Sequence, residues 1–194
     1  PDNTIVGSLA VRYANQPAIR ALIKLIPGGS SADGLLQYRA DQIKQERLRA
    51  FFDALASGKV VLTEDLVRSD EFLHCFFKTT EAVTKTRRKE KIELFAHMLS
   101  AALNTQIFSE LDQYEELLDA LDSMSFREFA VLRLLRDYEV RYAERAFEDD
   151  VARIQAYWTD FRSGACVMFS LEVAEFDPFM ERIQRTGFYT RNTG

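Results

Sequence analysis

Two pairs of glutamate and histidine are the side chains of this sequence that could bind a metal ion. Glu71 and His74 form a Glu-x-x-His motif, and Glu93 and His97 lie four residues apart. On a helix, both spacings place a carboxylate and an imidazole on one face, as in the di-iron sites of ferritin-like bundles. Such a site needs a second Glu-x-x-His motif, and the chain has only 2 histidines. The competing interpretation is that all four lie on the polar faces of amphipathic helices.

A run of basic residues is the strongest local charge feature of the chain, and it comprises Lys85, Arg87, Arg88, Lys89 and Lys91. Clustered Lys and Arg side chains neutralise phosphate groups, so this run is the candidate site for nucleic acid or another anion such as a lipid headgroup. Glutamates lie close by in the sequence, and no aromatic residue is interleaved for base stacking. A hydrated helix face is therefore the alternative.

Catalytic motifs that a sequence can reveal are missing from this chain. There is no G-x-S-x-G nucleophile elbow, and Gly28-Gly29 lacks the spacing of a phosphate-binding loop. Neither Cys75 nor Cys166 has a cysteine or histidine at a spacing that would indicate a metal or redox motif. We therefore predict that the protein is not an enzyme and uses no cofactor.

The composition predicts an all-α helical bundle. Hydrophobic residues make up 47% and charged residues 28%, as in ordinary globular domains. Only 4 Pro and 8 Gly interrupt a chain that is rich in Glu, Lys and Arg, so long helices are favoured over short strands. The net charge of -5 opposes general attraction to polyanions.

The sequence also predicts a cytoplasmic location. No run approaches the roughly 18 apolar residues of a transmembrane helix, and the first residues do not resemble a secretory signal. The chain begins at Pro1 rather than at Met, so we expect it to be a piece of a longer protein.

Apolar periodicity and helix-breaking residues predict the helices of the first half. One helix covers 16–26, and the next begins at Ser31 or Asp33, ends before Gly58 and has Ile43 on its apolar side. No Gly or Pro occurs from Asp70 to Asn104, which fits either one long helix or two helices joined near Thr84–Thr86.

The second half contains the clearest helix start, a capping box formed by Ser125 and Glu128. Gly164 is predicted to end the following helix, which has Val151 and Ile154 on its apolar face. Asp177-Pro178 is predicted to begin the last helix. We predict a helical bundle region at 1–124 and a C-terminal helical segment at 125–194, with packing as one domain as the alternative.

Three patterns in chain order resemble the bacterial helical proteins of the abortive-infection alpha type: ALIKLIPGGSSADGLL, then RKEKIELFAHMLSAAL, then SFREFAVLRLLRDY with VAEFDPFMERIQRTGFY. The resemblance covers most of residues 18–190. It implies a role in phage defence or regulation and a C-terminal segment similar to a winged helix. It transfers no catalytic residue. Seven residues follow Gly187, too few for a complete wing.

These observations predict a non-enzymatic helical interaction or regulatory protein, associated with phage defence, whose partner is another protein or a second copy of itself. A nucleic-acid-binding regulator with a winged-helix-like C-terminal segment is the first alternative, and a ferritin-like metal-binding protein is the second. The amphipathic stretch AIRALIKLIPGG could also lie on a membrane surface, but packing against its own bundle explains its pattern better.

Overall fold

The computed structural model of the chain describes residues 5–26, 34–57, 63, 68–105, 111–143, 145, 147 and 149–189. Within these ranges the regular structure is helical and contains no strand, which confirms the predicted all-α fold. None of the helices found there is both long and apolar enough to span a bilayer. In chain order the helices are α1 (Ile5–Arg12), α2 (Pro17–Leu25), α3 (Gly34–Ser57), α4 (Asp70–Lys85), α5 (Lys89–Thr105), α6 (Leu111–Ser123), α7 (Phe126–Ala143), α8 (Asp150–Met168) and α9 (Val173–Gln184).

The helices pack as two compact units, an N-terminal unit (Pro1–Leu118) and a C-terminal unit (Asp119–Gly194). The division between them falls inside α6, whereas the sequence pattern places a boundary at the loop before α7. Helix-breaking residues reveal where a helix ends, and they do not reveal which core a helix packs into. A continuous helix can therefore pass from one unit to the next without a sequence signal.

The core of the N-terminal unit is an aromatic cluster on α3 and α4. Helix α3 packs against α4 and α5, and α1 packs against α2 and α3. The ring centroids of Phe51 and Phe52 are 5.4 Å apart, and those of Phe52 and Phe76 are 6.3 Å apart. All three side chains are fully buried. Tilted and edge-on contacts of this kind are favourable for aromatic rings, so the cluster holds the two helices together.

The predicted helix at 16–26 is confirmed as α2, and the stretch from Asp70 to Asn104 forms two helices, α4 and α5, separated by residues 86–88. The predicted N-cap Ser31 or Asp33 lies outside the described residues. Ile43 is 46% exposed, so its assignment to the apolar face of α3 is wrong. Helix α1 was not predicted from the sequence.

The capping box at the start of α7 is confirmed. The Ser125 hydroxyl oxygen accepts a hydrogen bond from the backbone N–H of Glu128 at 3.2 Å, and the Glu128 carboxylate accepts one from the backbone N–H of Ser125 at 2.7 Å. Both bonds satisfy amides that have no partner within the helix. The boundary is correct because it depends on four consecutive residues only.

The predicted end of a helix at Gly164 is wrong, since α8 continues to Met168. A Cβ atom at position 164 would lie 2.7 Å from the Tyr138 hydroxyl oxygen. The absence of a side chain at Gly164 therefore lets α8 pack closely against Tyr138 of α7. Val151 and Ile154, which we placed on the apolar face of this helix, are 60% and 41% exposed.

The predicted start of the last helix at Asp177-Pro178 is also wrong. Helix α9 begins at Val173, and Pro178 lies inside it. The Glu175 carboxylate accepts a hydrogen bond from the backbone N–H of Glu172 at 3.0 Å, which caps the true start. Burial of Phe176 before the proline compensates for the hydrogen bond that Pro178 cannot donate. The described residues after Leu118 contain no strand, and thus no hairpin of a winged helix.

The two cysteines differ in burial, which predicts different reactivity. Cys75 is completely buried, and burial followed by the charge of Glu115 raises the pKa of its thiol to about 11. Cys166 is half-buried. Because the thiolate is the reactive form, we expect iodoacetamide at pH 8 to alkylate Cys166 in the folded protein and to leave Cys75 unmodified. Mass spectrometry of tryptic peptides checks this, with guanidinium-unfolded protein as the control in which both react. Equal labelling of both thiols in the folded protein would contradict the packing of α4.

Candidate functional site

The structure does not bring the four predicted metal-ligating residues together. His74 on α4 contacts Glu115 on α6 rather than Glu71, with 2.5 Å between His74 Nε2 and Glu115 Oε1. Lys78 Nζ lies 3.2 Å from the same oxygen. These two hydrogen bonds, with His74 first, lower the pKa of the Glu115 carboxyl. The arrangement is an exposed ion-pair network that links α4 to α6.

The second predicted pair, Glu93 and His97, is not arranged to bind a metal ion either. Glu93 Oε1 lies 3.7 Å from Lys89 Nζ, and His97 is exposed on α5. In the part of the chain that the structure describes, no group of three or more His, Cys, Asp and Glu side chains is arranged to hold a metal ion. The incomplete sequence motif therefore corresponds to no metal-binding geometry in this part of the chain.

Much of the predicted basic run is engaged within its own helices. Lys85 Nζ lies 2.6 Å from Glu81 Oε1, Lys89 pairs with Glu93, and Lys91 Nζ lies 5.7 Å from the centroid of the Phe95 ring. Arg87 and Arg88 are exposed in the stretch between α4 and α5. Exposed ion pairs are weak and can exchange partners, so they lower the run's attraction for phosphate without abolishing it. Anion binding by the run stays a prediction.

A different site lies in the C-terminal unit, where α7, α8 and the segment after α9 enclose an open cleft of about 560 Å³. We call it the C-terminal cleft. Its volume is within the range of roughly 300–1,000 Å³ that is usual for ligand sites. Its lining is mainly aromatic and aliphatic with three charged side chains, and it consists of Leu121, Phe129, Leu132, Arg133, Leu135, Arg136, Glu139, Tyr157, Trp158, Phe188 and Tyr189.

One wall of the cleft is attached to the core of the C-terminal unit through Trp158. Its ring stacks on that of Tyr189, with centroids 5.8 Å apart and an angle of 10° between the planes. On its other side Trp158 meets the buried Phe176 edge-on at 5.9 Å and Phe161 at 5.4 Å. Rings packed in this way have few alternative rotamers. The wall is thus preorganised before any ligand arrives.

One face of α7 also lines the cleft and carries all three of its charged side chains. Phe129, Leu132, Arg133 and Arg136 follow the i, i+3, i+4, i+7 spacing of a single helix face. Arg136 Nη1 lies 3.5 Å from Glu139 Oε2. Burial, and then the charge of Glu139, raise the pKa of Tyr157, so its hydroxyl stays neutral at physiological pH.

The ionisable side chains of this lining are two tyrosines, two arginines and Glu139, and the described lining residues include no serine, threonine, cysteine, histidine or lysine. Glu139 is the one carboxylate among them, and it is paired with Arg136. What the cleft offers is apolar surface, aromatic rings and guanidinium groups.

Sequence reasoning missed this site although two signals point to it. The spacing of the α7 residues shows one apolar face with arginines at its edge. In addition, every basic residue after Leu118 is an arginine, ten in all, whereas all 7 lysines lie before it. Arginine is preferred over lysine where guanidinium groups stack on aromatic rings or bind carboxylates. The aromatic wall contributed by α8 and by Tyr189 could not be located from either signal.

No protein-family model, curated protein or solved structure matches this chain. The resemblance to abortive-infection alpha proteins stays a prediction. Function must therefore be inferred from the geometry of the C-terminal cleft.

Proposed function

We propose that this chain is a non-enzymatic helical interaction protein whose C-terminal cleft binds an apolar segment of a partner protein. The observation that carries the proposal is the open aromatic cleft with its rigid Trp158 wall. Aromatic side chains and arginine are the residues most enriched at the energetic centres of protein interfaces. An amphipathic helix or an extended segment with one or two large apolar side chains fits such a groove.

Charge supports a protein partner over nucleic acid for this cleft. From Asp119 onward the sequence contains fourteen Asp and Glu against ten Arg. A polyanion approaching the C-terminal unit meets net repulsion, because binding to nucleic acid depends on excess positive charge. A protein segment with a limited number of charges does not meet that penalty.

The same binding activity supports a regulatory role, which we propose to be in bacterial phage defence and in the cytoplasm. This part of the proposal depends on the resemblance of ALIKLIPGGSSADGLL and the two later patterns to abortive-infection alpha proteins. The apolar and aromatic lining of the cleft supports a protein that acts by holding a partner.

A peptide selection tests the proposal directly. Phage-displayed random peptides would be selected on the purified full chain, and tryptophan-free synthetic copies of the selected sequences would then be titrated against it. Trp158 is the only tryptophan of the chain and lines the cleft, so its emission reports occupancy there. We expect selected peptides to shift or quench this emission to saturation. A selection that yields no peptide affecting Trp158 would overturn the proposal.

Phe188 lines the cleft and remains partly exposed to solvent. Phe188 is 44% exposed, so its replacement by alanine removes apolar contact surface with little cost in folding. We expect Phe188→Ala to weaken binding of the selected peptides about 10-fold, as for an aromatic interface residue of moderate importance.

The matched control for this variant is Phe77→Ala, which changes a phenylalanine of 43% exposure in the N-terminal unit and should leave peptide affinity unchanged. Equal affinity of wild type and Phe188→Ala would contradict the proposal. A dimer in light scattering that dissociates on Phe188→Ala, with no peptide binding, would instead identify a second copy of the chain as the occupant.

A further inference from the structure

We infer that Arg133 is the anion-binding group of the C-terminal cleft, so that the partner segment carries a carboxylate beside the apolar side chain that enters it. This inference rests on the proposed function, since it specifies the chemistry of the same partner. It follows from an inventory of the arginines in the C-terminal unit and from the distribution of charge along α7.

Most arginines of this unit are held by groups of the unit itself. Arg127 donates a hydrogen bond to the Phe169 carbonyl at 2.6 Å, and Arg182 lies 3.5 Å from the Glu128 carboxylate. Several guanidinium groups stack over aromatic rings at 4.1–5.4 Å from the centroid, namely Arg127 and Arg182 over Phe179, Arg141 over Tyr138, Arg145 over Tyr142 and Arg162 over Phe176. Their role in the fold is thus explained without a ligand.

For Arg133 the described residues provide no such contact that would explain its presence in the fold. Its guanidinium group makes no hydrogen bond, ion pair or ring contact with any residue that the structure describes, and among the described arginines of the unit only the side chain of Arg185 shares this property. Arg185 does not line the cleft, whereas Arg133 does. Arg136, the second cleft arginine, is already paired with Glu139. Arg133 therefore supplies the uncompensated positive charge of the cleft.

The surroundings of Arg133 make that charge effective. Apolar walls such as Leu132 and Phe129 exclude water when a ligand is bound, and a charge pair is stronger where water is excluded. The planar guanidinium can donate two parallel hydrogen bonds to one carboxylate, which fixes its orientation as well as its position.

The charge along α7 differs between the Arg133 end and the Glu139 end of the cleft. Glu139 lies six residues after Arg133 on the same helix, a separation of about 9 Å along the axis. A carboxylate bound near Arg133 meets an uncompensated positive charge, whereas one at the Glu139 end meets a carboxylate and a guanidinium group that balance each other. The partner segment should therefore place its acidic residue at the Arg133 end.

Two fluorescent probes with the same aromatic body test the inference on the intact chain. Anilinonaphthalene sulfonate carries one negative charge, its sulfonate standing in for the carboxylate, and N-phenylnaphthylamine is the same ring system without the charge. Energy transfer from Trp158 to either probe that a selected peptide abolishes by displacing the probe reports binding in the cleft. We expect Arg133→Gln to weaken binding of the anionic probe about 3–10-fold, the usual effect of losing one net hydrogen bond, and to leave binding of the neutral probe unchanged.

Arg185→Gln is the matched control, because it removes the same charge from the same unit outside the cleft, and neither probe should respond to it. In the selected peptides, Glu→Gln should reduce affinity for wild type and have no effect on Arg133→Gln protein. If peptides and probes reach Trp158 but Arg133→Gln affects neither charged species, the anion role is overturned and the proposed function stands. If neither peptides nor probes reach Trp158, both are overturned.

Discussion

Replacing Phe176 by alanine should lower the free energy of unfolding of the C-terminal unit by about 3–5 kcal/mol, the usual cost of removing a buried phenylalanine. Phe176 is completely buried and meets Phe161 edge-on at 5.7 Å and Trp158 edge-on at 5.9 Å. Its loss leaves a cavity between α8 and α9 that rigid neighbours fill only in part. Since small domains are stable by about 5–15 kcal/mol, this is a large fraction of the total.

Urea unfolding followed by Trp158 emission measures the effect, because this tryptophan belongs to the C-terminal unit and has no counterpart elsewhere in the chain. Phe188→Ala serves as the control, since a phenylalanine that is 44% exposed should cost less than about 1 kcal/mol. A Phe176→Ala protein as stable as Phe188→Ala would show that the buried aromatic cluster is wrongly placed. A red shift of Trp158 emission in the folded variant would show that the cleft wall has also lost its support.

Gly164→Ala should destabilise the C-terminal unit by about 1–3 kcal/mol, the cost of inserting a methyl group into a filled space. The added Cβ would lie 2.7 Å from the Tyr138 hydroxyl oxygen and 3.4 Å from its Cζ atom. The sign of this change in unfolding free energy is informative. Alanine is favoured over glycine inside a helix by about 1 kcal/mol, so Gly164→Ala would stabilise α8 if the space around position 164 were open.

Removing the obstructing oxygen provides the decisive control. In a Tyr138→Phe background, Gly164→Ala should be neutral or stabilising, and the double variant should unfold at higher urea concentration than Gly164→Ala alone. The double-mutant cycle then measures the contact between positions 138 and 164. Additive effects of the two substitutions would mean that α7 and α8 do not approach each other as closely at this point.

Local chemistry explains where prediction succeeded. The capping box of Ser125 and Glu128 depends on four neighbouring residues. Any helix that starts at this point brings these residues together, whatever the distant packing. The start of α7 and the all-α class could therefore be predicted from the sequence.

The predictions at Gly164 and Asp177-Pro178 were wrong for a common reason. Glycine and proline are usual helix breakers, but their cost is only about 1 and 3 kcal/mol per residue, and burial of a large side chain offsets it. Here the close approach of Tyr138 requires a glycine in α8, and the buried Phe176 and Phe179 keep α9 helical around Pro178. A sequence pattern shows the breaker and not the contact that outweighs it.

For the candidate site too, some features follow from the sequence and others follow only from the packing of the helices. By itself the sequence determined a helical fold, a net charge of -5 and the lack of known catalytic motifs. Only the tertiary structure decided that the stacked rings of Trp158 and Tyr189 line one cleft with Arg133, and that His74 pairs with Glu115 rather than with Glu71. Helical periodicity specifies which residues share a face within about two turns, whereas partners distant in sequence are chosen by how whole helices pack.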